Sequence, residues 1–306
     1  MTTTALPSSL APLAPSQSRL ALAQFRLEQR SFWRNRQAAA FSFGMPIMIV
    51  LLLGGLFQDN GTVGVGGAQF KSYFVAGMVG VALMSATFVN LAITLAFQRD
   101  LLVLKRFRGS PLGPVPLFAG KVLNGIVVGL IEVGLILAIG RAAYDTPLPQ
   151  NPLPFALAVL VGTAVCSMGG VAITAFIANA DSAPAVVNLP YLALQFVSGV
   201  FFAFHDMVKP LRFVGDVFPL RWLIEALRAS YLGFDYIHTH QIAVQQLTSH
   251  DGRTLVPIIV HRPAPVPVHG VNAVTSVGVA YLVLAGWFAV CTLVAIRRFR
   301  WEPRPD

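Results

Sequence analysis

SYFVAGMVGVALMSATFVNLAITLAFQ, residues 72–98, is a run without a single charged side chain. About 20 apolar residues in a helix cross the roughly 30 Å core of a bilayer, so this run predicts one membrane-spanning helix with length to spare for tilt. Similar runs lie on both sides of it. Together they predict six spans, at about residues 37–57, 72–98, 121–140, 153–180, 182–204 and 271–296.

The composition of the 306-residue chain supports the same class of protein. Apolar residues make up 55% of it and charged residues only 11%, whereas a soluble domain has about 25% charged residues. Mean hydropathy is +0.68. The composition therefore predicts an all-α polytopic membrane protein and excludes a disordered chain, a coiled coil and a disulfide scaffold. Cys166 and Cys291 lie in apolar runs and are expected to be buried thiols.

The excess of basic residues indicates the orientation of the chain. The formal net charge is +9, and Lys and Arg are concentrated before the first span, between the second and third, and after the sixth. Because cytoplasmic segments retain such residues, we expect a cytoplasmic-membrane protein with both termini in the cytoplasm, in contact with anionic lipid rather than nucleic acid. A single transmembrane domain, residues 17–300, is expected between a disordered tail, 1–16, and a cytoplasmic tail, 301–306.

The segment before the first span, residues 18–36, has the sequence SRLALAQFRLEQRSFWRNR. Its aromatic and arginine side chains suit the headgroup interface. Two interpretations stay open: a basic flank with no further role, or an interfacial helix that also contacts a cytoplasmic partner. The candidate residues of such a helix are Arg26, Arg30, Phe32, Trp33 and Arg34.

The loop between the second and third spans combines leucines with basic residues. Residues 100–108 predict a short helix that is too apolar for water and too charged for the membrane core. Such a helix fits the cytoplasmic surface, either as a docking site for another protein or as a plain interfacial loop. The candidate docking residues are Arg99, Asp100, Lys105, Arg106, Arg108 and Pro111.

A short amphipathic helix is predicted after the fifth span. It begins at Pro219, includes Trp222, and lies outside the membrane or dips into it from the external side. One face is apolar, and Arg221, Glu225 and Arg228 lie on the other face at spacings that suit ion pairs. Residues 234–270 then form a polar external loop. Its histidines lack a metal-binding spacing, so a solvated loop is favoured over a metal site.

Glu132 is the one acidic residue inside a predicted span. It lies about 16 Å along the helix from Lys121, and an ionisable group at that depth is expensive. Two interpretations stay open: the carboxyl lines a transport path, or it is a packing residue inside the bundle. Glycines around it and in the second and fourth spans favour close helix packing. The chain has no G-x-x-x-x-G-K-[ST] sequence and hence no phosphate-binding loop of its own.

Three segments resemble a known family of transporter subunits. The first is the arginine-rich segment that ends at residues 32–36, FWRNR, before a span that contains Pro46. In the second, the loop, Arg99, Asp100, Arg108, Ser110, Pro111 and Leu112 match the family pattern. After the fifth span, Ser198, Gly199, Phe201 and Phe202 match, followed by Pro219, Leu220, Trp222, Leu223, Ala226, Leu227 and Arg228. With the order of six spans, residues 17–300 resemble the type-2 ABC exporter permeases, close to the daunorubicin-resistance type.

The resemblance implies a half-transporter that is not itself an enzyme. Two permeases, identical or homologous, would pair and bind two cytoplasmic P-loop ATPase subunits. ATP and Mg²⁺ would be held by these partners, so this chain is expected to hold no cofactor. The segment before the first span would be the elbow helix, and the loop at Asp100 and Pro111 would receive the ATPase. The cargo would be an amphipathic drug, a lipid or a lipid-linked molecule moved outward.

Two other classes of protein remain as alternatives. One is a proton-coupled secondary transporter that uses Glu132; such proteins usually contain repeated halves, and no internal repeat is evident in the sequence. The other is a membrane scaffold or assembly factor that transports nothing.

Overall fold

A computed structural model describes residues 16–56, 70–108, 113–201, 204, 207–233, 244–245, 258–259 and 273–299. The tail predicted for residues 1–16 lies outside these residues except for Ser16. Most of the external loop, 234–270, and all of residues 301–306 lie outside them as well.

The described residues are almost entirely helical. The helices are α1 (Gln17–Arg34), α2 (Arg36–Leu56), α3 (Phe70–Met84), a π-helical turn (Ser85–Val89), α4 (Asn90–Asp100), α5 (Val103–Arg108), α6 (Pro114–Tyr144), α7 (Pro152–Ile173), α8 (Ala183–Val197), α9 (Lys209–Val217), α10 (Pro219–Leu232) and α11 (Ala273–Arg298). Two short strands, β1 (Val244–Gln245) and β2 (Ile258–Ile259), pair antiparallel in the predicted external loop. This pair is a small departure from the all-α prediction.

Four helical segments are long and apolar enough to cross a membrane: Lys71–Asp100, Val115–Tyr144, Pro152–Ile173 and Val277–Arg298. They correspond to the predicted second, third, fourth and sixth spans. Shorter apolar helices, Ser42–Gly55 and Ala183–Val197, lie where the first and fifth spans are predicted. A predominantly helical membrane protein is therefore confirmed for the residues that the structure describes.

Several helices differ in extent from the runs that were predicted to span the membrane. The third helix begins at Pro114 rather than at residue 121, because Lys121 is buried inside the helix and does not end it. The fourth helix stops at Ile173, well before residue 180, and the chain turns before α8 begins. The fifth helix ends at Val197 rather than at residue 204, because Gly199 takes a positive φ of 76°.

The core of the bundle forms around α3, which packs against α6, α7 and α10. Glycines, which have no side chain, allow these helices to approach each other closely. A Cβ on Gly80 of α3 would lie 2.8 Å from Ile224, and a Cβ on Gly162 of α7 would clash with Leu223. Helix α10 is therefore inserted between α3 and α7 as part of the bundle interior.

The bundle has two ends that differ in chemistry. At one end, called the basic end, lie α1, α5, the start of α6 and the end of α11, where Phe118 contacts Phe299. At the other, called the hairpin end, the carbonyl of Tyr231 at the end of α10 accepts a hydrogen bond from the Gln150 N–H, in the link between α6 and α7. The candidate functional residues divide between these two ends.

Candidate functional site

Helix α1 is attached to the bundle at the basic end through a buried ion pair. The Lys121 ammonium on α6 lies 2.5 Å from the Glu28 carboxylate on α1. Gln24 donates to the same carboxylate at 2.8 Å, and the Lys121 ammonium donates to Gln98 of α4 at 2.8 Å. A Cβ on Gly120 would lie 2.7 Å from Gln24, so glycine allows the close approach of the two helices. The network therefore connects α1, α4 and α6.

The sequence pattern does not single out Glu28 or Lys121 as functional residues. A signal for each is nevertheless present. Glu28 is the one acid in an arginine-rich segment, and Lys121 interrupts an apolar run. A buried charge of each sign requires a partner, so each of these residues points to a complementary charge on another helix.

Arg99 and Asp100, two of the predicted docking residues, bind the chain's own backbone. The Arg99 guanidinium donates to the carbonyls of Thr174 at 3.2 Å, Ile177 at 2.9 Å and Ala178 at 3.2 Å. The Asp100 carboxylate accepts a hydrogen bond from the N–H of Ala180. These contacts satisfy carbonyls that the end of α7 leaves open. The pair therefore fixes the end of α4 to the turn between α7 and α8.

Helix α5 and the turn before it, residues 101–102, together present a mixed apolar and basic surface at the basic end. Leu102, with a φ of 56°, separates α5 from α4, and Leu104 is fully buried and anchors α5. Leu101 is 69% exposed, and Lys105 and Arg106 are also exposed. The side chain of Arg108 and all of Pro111 lie outside the described residues.

Helix α1 carries the five residues predicted for an interfacial helix. Arg26, Arg30, Trp33 and Arg34 are exposed, and Phe32 is half-buried. The Trp33 ring stacks on Phe43 of α2 at 5.9 Å between ring centroids, which fixes the bend where α1 meets α2. Exposed arginines beside an exposed indole suit a headgroup interface.

Arg228 of α10, predicted on a polar face, is instead buried. Its guanidinium donates to the Tyr73 hydroxyl at 2.7 Å and to the Gly199 carbonyl at 2.8 Å. It also lies over the Tyr73 ring, 3.4 Å from the centroid. A Cβ on Gly77 would lie 2.8 Å from this guanidinium, so the space exists because residue 77 is glycine. Other helices surround α10, so Arg228 is buried although it lies on the polar face.

The remaining predicted residues of α10 lie near its start, at Pro219. Arg221 does not pair along α10 as predicted. Its Nε lies 2.9 Å from the carboxylate of Asp216, at the end of α9. The Trp222 indole donates to the Asp216 carbonyl at 2.7 Å, and Glu225 is half-buried. These contacts join the end of α9 to the start of α10.

Glu132 lies in the interior of a single chain. It has no exposed surface, and neither carboxyl oxygen has a hydrogen-bond partner among the residues that the structure describes. Two neighbouring glycines allow close packing: a Cβ on Gly125 would lie 3.1 Å from Ser167, and one on Gly129 would lie 3.1 Å from Leu83. The described conformation therefore gives a substrate no route to this carboxyl.

A comparison with protein families identifies the chain's relatives at the level of a family. The sequence profile of a family described as "ABC-2 type transporter" matches residues 20–232, well over half of the chain. The match extends from residue 20, near the start of α1, to residue 232, the end of α10, and does not include α11. A search of curated proteins found no match.

Proposed function

Because this chain belongs to the ABC-2 type transporter family, we propose that it is the permease subunit of an ATP-driven exporter. Membership in this family implies a membrane transport domain that works with a separate ABC ATPase. Two copies of the permease, identical or homologous, would bind two ATPase subunits, and these partners would hold ATP and Mg²⁺. The cargo would be an amphipathic drug, a lipid or a lipid-linked molecule moved outward.

The exposed surface formed by α5 and the turn before it, residues 101–102, is the observation that carries the proposal. Leu101 exposes apolar surface beside the basic side chains of Lys105 and Arg106. Exposed leucines next to positive charge suit a protein partner with an apolar groove and an acidic rim. In this proposal the ATPase docks on α5.

The contacts that attach α5 and α4 to the bundle would let α5 transmit a movement of the ATPase to the other helices. Arg99 fixes the end of α4 to the turn after α7, and Leu104 anchors α5 itself. The ion pair of Glu28 and Lys121 adds α1, the proposed elbow helix, to the same unit. A displacement of α5 by the ATPase would therefore move α1, α4 and α6 together.

The proposal includes six membrane spans. The apolar stretches of α2 and α8 would complete the four longer candidates, with α2 following the proposed elbow helix. Both termini would lie in the cytoplasm of a protein of the cytoplasmic membrane, because the basic residues of α1, α5 and the end of α11 share one end of the bundle. The hairpin end would then be external.

The source of energy for transport tests the proposal. Inside-out vesicles that contain the chain and its ATPase partner should take up members of a panel of fluorescent amphiphiles only when ATP is present. Vanadate should stop the uptake, and a protonophore should leave it intact. Uptake that continues without ATP but stops with the protonophore would replace the proposal with a proton-coupled transporter.

The third class, a membrane scaffold, makes a different prediction in the same experiment. A scaffold would give no uptake of any amphiphile and no stimulation of ATP hydrolysis by lipids or drugs. Vesicles whose permease carries Arg99→Ala serve as the matched control for the wild-type permease. That substitution removes the hydrogen bonds between α4 and the turn after α7.

A further inference from the structure

Four arginines of α1 lie on the side of the helix that faces away from the bundle. All four are exposed, and at 3.6 residues per turn they occupy a sector of about 80° around the helix axis. They are called here the arginine face: Arg19, Arg26, Arg30 and Arg34. The buried residues of α1, Gln24 and Glu28, lie on the other side of the helix and contact α6.

The positive charge of the arginine face is not balanced within the described part of the chain. Glu28 is the one acid of α1, and its carboxylate is already paired with the buried ammonium of Lys121. None of the four arginines forms an ion pair with a residue that the structure describes. A concentration of charge of one sign attracts a partner of the other sign. The arginine face therefore fits an anionic partner outside the chain.

The contacts of α1 with α6 indicate its depth in the membrane. The segment Val115–Tyr144 has 30 residues, or about 45 Å as a helix, which matches the thickness of a bilayer with its headgroups. Gly120, which contacts Gln24 of α1, lies about 8 Å from the start of that segment. The headgroup region is about 5–8 Å thick on each side. Helix α1 therefore lies at the boundary between headgroups and hydrocarbon.

Apolar side chains on both sides of the arginine face fit the same location. Leu22 and Leu27 are 44% and 52% exposed, and the Trp33 indole is 47% exposed. An indole is typical of the headgroup region, and leucines beside arginines are typical of a helix that lies in the plane of the interface. The leucines then contact acyl chains, and the arginines extend to the phosphates. Depth and the indole favour lipid over the ATPase as the partner of this face.

We propose that the arginine face of α1 binds the phosphate groups of anionic phospholipids in the leaflet at the basic end. A guanidinium donates two parallel hydrogen bonds to one phosphate. A zwitterionic lipid also has a phosphate, but its own cation offsets the charge, so an anionic headgroup is preferred. The bound lipids hold α1 in the interface, beside the buried ion pair that attaches it to α6.

Quenching of Trp33 by brominated lipid tests this inference. The full chain is reconstituted in nanodiscs of phosphatidylcholine with a minor fraction of phosphatidylglycerol. Two preparations have the same composition and differ only in which lipid carries bromine on its acyl chains. The part of the quenching that disappears in Trp33→Phe, measured in each background, belongs to this indole. Brominated phosphatidylglycerol should quench Trp33 well beyond its share of the lipid.

Variants of the arginine face should change that preference. Arg26→Gln combined with Arg30→Gln should lower the relative affinity for phosphatidylglycerol beside Trp33 about tenfold. Arg26→Lys combined with Arg30→Lys keeps the charge and should retain most of the preference. The matched control is Arg297→Gln combined with Arg298→Gln, which removes the same charge from exposed positions of α11 at the same end of the bundle. This control should leave the preference at Trp33 nearly unchanged.

Three results would overturn the inference. The first is a wild-type chain whose Trp33 is quenched by each lipid in proportion to its share. The second is a preference that persists in Arg26→Gln/Arg30→Gln, and the third is an equal loss in the α11 control, which would assign the effect to the total charge of the basic end. A wild-type chain without the preference, whose Arg26→Gln/Arg30→Gln form no longer retains the ATPase, would assign the face to that protein. The quenching needs no ATPase, so its outcome is independent of the exporter function.

Discussion

At the scale of single residues, Arg228 shows how a charge is kept inside the bundle. Its guanidinium binds the Tyr73 hydroxyl and the carbonyls of Gly199 and Val200, and so joins α10 to α3 and to the chain after α8. Arg228→Leu should lower stability by about 3 kcal/mol, because buried carbonyls lose a charged donor. The melting temperature of the purified chain measures the loss. The control Glu225→Gln, at a half-buried position of the same helix, should change the melting temperature little. An Arg228→Leu chain that melts at the same temperature as the wild-type chain would contradict the stabilising role of Arg228.

Glu132 presents the opposite case, a buried polar group without a partner among the described residues. Replacing such a group with an apolar side chain of similar size removes a desolvation cost and breaks no hydrogen bond. We therefore expect Glu132→Leu to melt at or above the wild-type temperature, and Glu132→Gln, which keeps an unpartnered polar group, to melt near it. A clear fall in melting temperature for Glu132→Leu, with Glu132→Gln unchanged, would instead reveal a hydrogen bond to this carboxyl.

At the scale of helices, the Glu28–Lys121 pair is expected to determine how α1 attaches to α6. Glu28→Gln or Lys121→Met alone leaves one buried charge unpaired, which should cost about 3–5 kcal/mol. The double variant Glu28→Gln/Lys121→Met should recover most of that loss, because neither charge remains. Melting temperatures of the four chains complete the cycle. Additive losses in the double variant would show that the two residues do not act as a pair.

The amount that the sequence can predict also differs from helix to helix. The helical segment Lys71–Asp100 lies close to the second predicted span, 72–98, because an uncharged run of that length is long enough to cross a bilayer by itself. The helix of the third predicted span begins earlier than residue 121, because Lys121 resembles a boundary and its buried partner, Glu28, lies far away in sequence. Arg228 is predicted on the polar face of α10, but its burial is not predicted, because periodicity reveals the two faces of a helix and not that other helices cover both. Partners distant in sequence account for most of these errors.

At the scale of the whole molecule, the two ends should lie on opposite sides of the membrane. Single cysteines at Asp145, on the hairpin end, and at Arg26, on α1, test this, since Cys166 and Cys291 are buried. An impermeant maleimide added to intact cells should label Asp145→Cys at once and Arg26→Cys only after permeabilisation. The reverse pattern would invert the proposed orientation.

Docking of an ATPase on α5 is the central claim, and one purification tests it directly. The tagged chain, isolated from its own cell membranes, should carry a partner that is photolabelled by 8-azido-ATP and hydrolyses ATP. Changing Leu101→Ser and Arg106→Glu together should remove that partner while the permease still inserts in the membrane. A wild-type chain that carries no ATP-binding subunit, or a double variant that retains a fully active one, would contradict the claim.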